Sequence, residues 1–313
     1  MRSLILALLT ALSLWGDAHI FVYHRFGDAQ HASANTSIAQ LREHFEYFKA
    51  NGYRVISFDT LSKALHAGKT IPDNWVVLSV DDAYRSFYDN ALKVFKEYNY
   101  PFTLFVYVEA THKNYHDFMS WDQLKDASKY GEIALHSYAH PHMAAFSADE
   151  VKADTARAYE LFTQHMGFKP RYYAYPYGEY TSKTRDALKT FGFELICNQN
   201  SGAINTKSSP YDLDRCALTG KVKLNSKLAM KALNVQWITP KKYPKNGNLK
   251  SIHAKIAPTI TNAKYYVSGY GWNQVAVDNG DINISFNKPL KFARSRIFIK
   301  SGHAQSSIIL VKE

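Results

Sequence analysis

Trp75-Val76-Val77-Leu78-Ser79-Val80-Asp81-Asp82 is the stretch on which the reading of this chain turns. Its first six residues are mostly β-branched and apolar, which makes a buried strand, and the run stops on two neighbouring carboxylates. Successive side chains of an extended chain point to opposite faces. Asp81 and Asp82 can therefore serve one site only where the strand is ending. Read that way, they offer one metal ligand and one general base. A glycosidase would instead draw its two carboxylates from different strands, roughly 5–9.5 Å apart. Alone, such a doublet is more often a helix cap or a solvated turn.

Outward from this strand the same unit recurs. Towards the N-terminus, residues 20–23 form a compact apolar run. Residues 37–51 then carry Ile38, Leu41, Phe45 and Phe48 at helical spacing, with Ser37 and Gln40 as a capping box and Asn51-Gly52 as the stop. Residues 55–58 read as a strand, and Asp59 as the cap of a short helix ending near Gly68. Towards the C-terminus come a helix over 86–98, a strand over 102–108, and a helix opened by Ser120 and Gln123. A strand over 133–135 and a long helix from Ser147 to Gly167 follow. Residues 171–175, 182–191 and 193–197 complete the series as strand, helix and strand. About seven such units predict an α/β fold: a parallel sheet with helices outside it, closed into a distorted (β/α) barrel. In such barrels the chemistry sits just past the C-terminal ends of the strands. His24, Asp81-Asp82, His136 and Tyr177 each follow a predicted strand.

The pattern changes after residue 220. Residues 263–270, 282–286, 297–299 and 307–311 read as strands with polar turns, giving a small β-rich accessory domain over 221–313. The charge divides at the same place. Of the net +11, the segment from Lys221 onward carries 16 Lys and Arg against 3 Asp and Glu, which leaves the first 220 residues at −2. So basic a module faces anionic material: a cell-wall glycan, a membrane surface or a protein partner. At the other end, Arg2, the apolar run 4–14 and the small or polar residues up to Ala18 describe a signal peptide over 1–18, with a buried first strand or helix as the bland alternative. An exported protein, periplasmic or secreted to the cell surface, follows from that leader, and nucleic acid is then no partner. Residues 19–220 form the main domain. Cys197 and Cys216 are the only cysteines and lack zinc-site spacing; one disulfide and two buried thiols both remain open.

Two further motifs carry chemistry. His136-Ser137-Tyr138-Ala139-His140 places two imidazoles four residues apart. Pro141 biases His140 away from helix, so His136 belongs at a strand end and His140 on the loop after it. Two imidazoles and a carboxylate make a catalytic zinc shell with open positions, and His142 is an alternative to His140. In Tyr175-Pro176-Tyr177-Gly178, a turn at a strand end can aim backbone N–H groups at a developing oxyanion, and its rings can line a sugar subsite.

With these three motifs in this order, residues 19–215 resemble the polysaccharide deacetylases, the NodB-homology family or carbohydrate esterase family four. The Asp pair after an apolar strand, the His-Ser/Thr-x-x-His motif and the Pro-Tyr-Gly turn are all present. The opening Val22-Tyr23-His24 and the stretch Gly52-Tyr53-Arg54-Val55-Ile56-Ser57 are similar to the subgroup acting on biofilm poly-N-acetylglucosamine. The resemblance implies Asp81 as general base, Asp82, His136 and His140 as ligands of a divalent metal, His24 as general acid, and the Tyr177 N–H as oxyanion donor. Tyr175, Pro176 and Tyr177 would contact substrate. Zinc is the default metal, and cobalt or nickel suits the same ligands. The implied reaction is removal of N-acetyl groups from an amino-sugar polymer: poly-N-acetylglucosamine first, peptidoglycan second, chitin third. A glycan-binding or assembly protein on the same scaffold, and an O-acetyl esterase, are the alternatives. Two departures stand out. Ala83 replaces the family's glycine, and Ala174 its arginine, leaving Arg171 as the candidate for orienting Asp81.

Overall fold

The computed structural model describes residues 17–312; all of the expected leader except Asp17 and Ala18 lies outside the described residues. Among the described residues no helix is long and apolar enough to cross a membrane.

The first unit is a parallel sheet wrapped by helices. Strands β1 (His19–Tyr23), β4 (Arg54–Ile56), β5 (Trp75–Val80), β6 (Thr103–Val106), β7 (Glu132–Leu135), β8 (Tyr172–Ala174), β9 (Leu195–Cys197) and β10 (Cys216–Ala217) build it. A separate short ladder joins β2 (Arg25–Phe26) to β3 (Asn35–Thr36). The order across the main sheet is β10-β1-β5-β6-β7-β8-β9, and β4 pairs the first half of β5 while β6 pairs its end. Leu213 bridges Cys197, and three residues later Cys216–Ala217 pairs with β1, so one segment draws the sheet's two edges together. The outcome is the expected barrel, irregular where β4 stops short.

Strand parity sorts the core into two sets. Ile20, Val77, Phe105, Ala134, Tyr172 and Ala174 form one cluster with the apolar face of α2 (Phe58–His66), while Phe21, Leu78, Leu104, Leu135 and Tyr173 pack with the other helices. Those helices are α1 (Ile38–Ala50), α3 (Leu92–Tyr98), α4 (Val108–His112), α5 (Trp121–Ala127), α6 (Ala148–Met166) and α7 (Ser182–Lys189). The capping box expected at Ser37 is formed, and Ser120 with Gln123 and Ser147 with Glu150 form two more. Asp59 is not the cap of α2: the Ser57 side chain accepts from the Thr60 N–H, and Asp59 lies in the first turn, where it pairs with Lys63 and Arg171. The helix expected over 86–98 opens with a π turn, Phe87–Ala91, before α3.

After the short helix α8 (Leu224–Leu228) comes an all-β unit of two sheets. One runs β11-β18-β17-β14-β15, from β11 (Lys231–Ala232), β14 (Asn262–Val267), β15 (Gly271–Ala276), β17 (Arg294–Ser301) and β18 (Ala304–Val311). The other joins β12 (Gln236–Thr239), β13 (Asn248–Lys255) and β16 (Asp281–Pro289). Ile252, Ile282 and Ile284 from one sheet and Val267, Ile297 and Ile299 from the other share one core, so the unit is a small sandwich. It abuts the barrel: the Ser201 N–H donates to Ser307 Oγ at 2.9 Å, and Gln305 Nε2 donates to Ser201 O at 3.0 Å. Cys197 and Cys216 are both free and buried, which settles against the disulfide.

Candidate active site

Asp81 continues the inward parity of Val77 and Ser79, and the chain then turns sharply. Asp82 has φ 72° and Ala83 φ 57°, so the second carboxylate swings back to the same space as the first. Positive φ is unfavourable for residues bearing a Cβ, and Ser137, His140 and Tyr177 adopt it here as well. Strained backbone is thus concentrated in the three motif loops.

His136 ends the inward row of β7. Its Nδ1–H donates to Ala174 O at 2.8 Å, which leaves Nε2 free to face the carboxylates. Asp82 Oδ1 lies 3.4 Å from His136 Nε2 and 3.1 Å from His140 Nε2. All three ligand atoms fall within 4.8 Å of one another. His140 is held by its loop: its N–H donates to Ser137 Oγ, and Asp154 on α6 accepts from the Tyr138 and Ala139 N–H groups, each at 2.9 Å. Asp82 Oδ1 is a buried oxygen that no protein hydrogen bond satisfies. An orphaned carboxylate oxygen between two imidazoles fits a divalent cation well. Burial would raise the Asp82 pKa, but the close approach of the His136 and His140 imidazoles holds it well below the usual range, so the ligand is ionised. His142 does not join this group; its Nδ1–H donates to Glu179 Oε2 at 2.8 Å.

Asp81 is fully buried and gripped by a residue that the sequence reading passed over. Arg215 Nη1 and Nη2 donate to Asp81 Oδ1 and Oδ2, each at 2.7 Å, and its Nε donates to Asn198 O at 2.8 Å. Arg215 sits in the segment that draws the sheet edges together, and its side chain is completely buried. Burial pushes the Asp81 pKa up, but the Arg215 charge and hydrogen bonds together with the His136 and His24 charges outweigh it and leave the group below its ordinary value. Arg171, the sequence candidate for this task, lies elsewhere and pairs with Glu194 and Asp59. Arg171 and Ala174, neighbours in sequence to the Pro-Tyr-Gly turn, precede and close β8; the charge comes instead from across the barrel seam.

His24 follows β1 at the same end of the barrel, where the Asp81 N–H donates to the Tyr23 carbonyl at 2.9 Å. Its Nδ1 is buried without a protein partner. Burial lowers the His24 pKa against the opposing pull of Asp82 and Asp81. A lowered pKa makes the imidazolium a stronger proton donor when it forms, and a scarcer one at neutral pH.

The Tyr175–Gly178 stretch divides. Tyr175 falls on the helix side of its strand, fully buried and stacked on Tyr180, and Pro176 is buried with it, so neither presents a ring to a substrate. Of the three residues expected to contact substrate, only Tyr177 therefore has an exposed ring. Tyr177 is 39% exposed, edge-on to His140 and stacked on His142 at 4.2 Å. The turn's two hydrogen bonds use the N–H groups of Gly178 and Glu179, leaving the Tyr177 N–H outside both. Tyr84, Phe118, Tyr107, His140 and Tyr177 form a chain of ring contacts beside the ligand cluster, with centroid distances of 4.8, 5.5, 5.3 and 4.5 Å along it. Gly178 has φ 68°, and a Cβ there would lie 2.3 Å from Gln199 Cβ and 2.4 Å from Gln199 N. Gly178→Ala is therefore expected to cost about 2–4 kcal/mol, measured by urea unfolding, from αL strain plus overpacking. It will also lower turnover, because Gln199 Nε2 donates to Asp81 Oδ2 at 3.4 Å.

Comparisons with known proteins agree with this geometry. The polysaccharide deacetylase family matches residues 68–196. A Bacillus subtilis (strain 168) relative, YxkH, is 22% identical over 197 residues, 63% of this chain and 69% of that protein. The poly-beta-1,6-N-acetyl-D-glucosamine N-deacetylase of Escherichia coli (strain K12) is 23% identical over 223 residues, 57% of this chain. The match spans only 32% of that enzyme's length. Among solved structures, IcaB from Ammonifex degensii superposes with a TM-score of 0.60 at 26% identity, over 65% of this chain and 92% of that one. The Streptococcus pyogenes deacetylase PplD gives 0.61 at 20% identity over the same shares. The Asp pair, the two histidines and the Pro-Tyr-Gly turn thus meet at one end of a matching barrel, and residues 68–196 of that barrel carry a polysaccharide deacetylase domain.

Proposed function

We propose that the protein is an exported, metal-dependent deacetylase of a poly-N-acetylglucosamine-type polymer. One observation carries the chemistry: Asp82, His136 and His140 form a ligand cluster beside an Asp81 that is held ionised by Arg215. Asp82, His136 and His140 would hold a divalent cation, which would supply Lewis-acid polarisation of the acetyl carbonyl and lower the pKa of a water. Zinc is the first choice of metal. Asp81 takes the proton of the attacking water. Its oxygens keep lone pairs beyond the two that Arg215 occupies. The Tyr177 N–H donates to the oxyanion, and His24 passes a proton to the departing amine, which is otherwise a poor leaving group. The ring row from Tyr84 to Tyr177 offers stacking surface to the sugars on either side of the reacting residue.

The choice of polymer rests on the relatives named for it and on the N-terminal place of His24; export rests on the leader-like opening. Acetate release from N-acetylglucosamine oligomers tests the reading. Turnover is expected with added zinc, at least 100-fold less after chelation, and restored by zinc. Chelation that removes the metal and leaves the rate unchanged would sink metal dependence. Release from O-acetylated substrates alone would replace amide hydrolysis with ester hydrolysis.

A further inference from the structure

The accessory sandwich reaches into the catalytic end of the barrel through one strand. Arg294 opens β17. Its Nε donates to Glu179 Oε1 at 2.7 Å and its Nη2 donates to the Tyr177 carbonyl at 2.8 Å. The Glu179 side chain has no solvent exposure, and its second oxygen accepts from His142 Nδ1 at 2.8 Å. His142 in turn lies flat on the Tyr177 ring, with an interplanar angle of 11°. Two residues along the same face of β17, Arg296 Nη1 donates to Gln199 O at 2.7 Å, and Gln199 is the residue whose amide reaches Asp81.

We propose that Arg294 is a positioning residue for the deacetylation reaction, a guanidinium from the accessory unit that fixes the Tyr177 turn in its oxyanion-binding conformation. Tyr177 sits at φ 57°, a conformation unfavourable for a residue with a Cβ that persists only when its surroundings hold it. Arg294 holds the Tyr177 carbonyl directly. Through Glu179 and His142 it also holds the ring. The planar fork matters: one nitrogen serves the carboxylate and another the carbonyl, which an ammonium on a flexible stem cannot do in the same fixed geometry. Glu179 is buried, so its charge needs this partner. The barrel's oxyanion turn is therefore completed by a module outside the barrel, and the sandwich is part of the active-site scaffold.

This inference rests on the deacetylase reading above, and the test separates the two. Full-length wild type, Arg294→Ala and Arg294→Lys are assayed on N-acetylglucosamine oligomers, with zinc affinity measured on each. An oxyanion donor acts in the transition state, so Arg294→Ala should lose about 100-fold in both kcat and kcat/KM with KM nearly unchanged. Zinc affinity should stay within about threefold, because Asp82, His136 and His140 are untouched. Arg294→Lys should recover about tenfold, and it carries the test if the alanine variant does not fold. Wild-type kcat in either variant, or a raised KM at unchanged kcat, overturns the positioning role while leaving the deacetylase reading intact. A wild type inactive on every N-acetylated oligomer removes both.

Discussion

Arg215→Met is expected to destabilise the protein by about 3–5 kcal/mol at neutral pH and to reduce kcat by about 100-fold. The energetic reason is the environment of the pair. Both side chains are fully buried, and the two 2.7 Å bonds to Asp81 are what make a buried carboxylate tolerable there. Removing one partner leaves an uncompensated charge, whereas removing both removes the problem. Arg215→Met combined with Asp81→Asn should therefore regain most of the lost stability while regaining no activity. The pH dependence carries a definite sign. In the wild type Asp81 has a depressed pKa, so its stabilisation is present above its unfolded value of about 3.9 and is lost as pH falls through the folded value. In Arg215→Met, burial without the guanidinium raises the folded value above the unfolded one, so the deficit should shrink on acidification as Asp81 becomes neutral. Urea unfolding of the three proteins at several pH values measures all of this. A single variant as stable as wild type would show that the pair contributes nothing net.

That Arg215 was not legible in the sequence has a physical reason. Leu213-Asp214-Arg215-Cys216 looks like a polar turn before a two-residue strand, and nothing local says that the segment draws together the two ends of a sheet. Strand-helix alternation, capping boxes and strand-end motifs are local signals, so the barrel and the Asp82, His136 and His140 cluster could be read from them. The side on which Tyr175 falls is hard to read for a related reason. In a three-residue strand, one step of parity decides between the barrel interior and the helix layer, and the aromatic run Tyr172-Tyr173-Ala174-Tyr175 gives no hint of which. Strand β13 escaped because its ladder is irregular between Leu249 and Ser251. The buried Leu249 and Ile252 are then three apart and break the period of two. The contacts of Arg294 and Arg296 with the barrel were beyond reach for the same reason as Arg215: they join segments more than 90 residues apart.

Two neighbouring carboxylates with different tasks make the sharpest test of the proposed chemistry. Asp82→Ala should abolish zinc binding and turnover together, because Asp82 Oδ1 is the atom that both imidazoles face. Asp81→Asn should keep zinc bound and still lose about 10²–10⁴-fold in kcat, the usual worth of a general base. The asparagine can still accept from one Arg215 nitrogen through its oxygen, but its amide nitrogen opposes the other and the buried guanidinium loses its counter-charge, so the variant should also lose stability while the proton acceptor is lost. Acidification should separate the roles again in the wild type. Burial opposes a proton on His136, but the Asp81 and Asp82 charges prevail and raise its pKa above the ordinary imidazole value. Protons therefore compete directly with the cation for Nε2, and zinc affinity should fall as pH drops. Metal titration by calorimetry, run beside acetate release on both variants, checks each part. Retained zinc in Asp82→Ala would move the metal away from the strand end, and full turnover in Asp81→Asn would remove Asp81 from the reaction while leaving it a structural partner of Arg215.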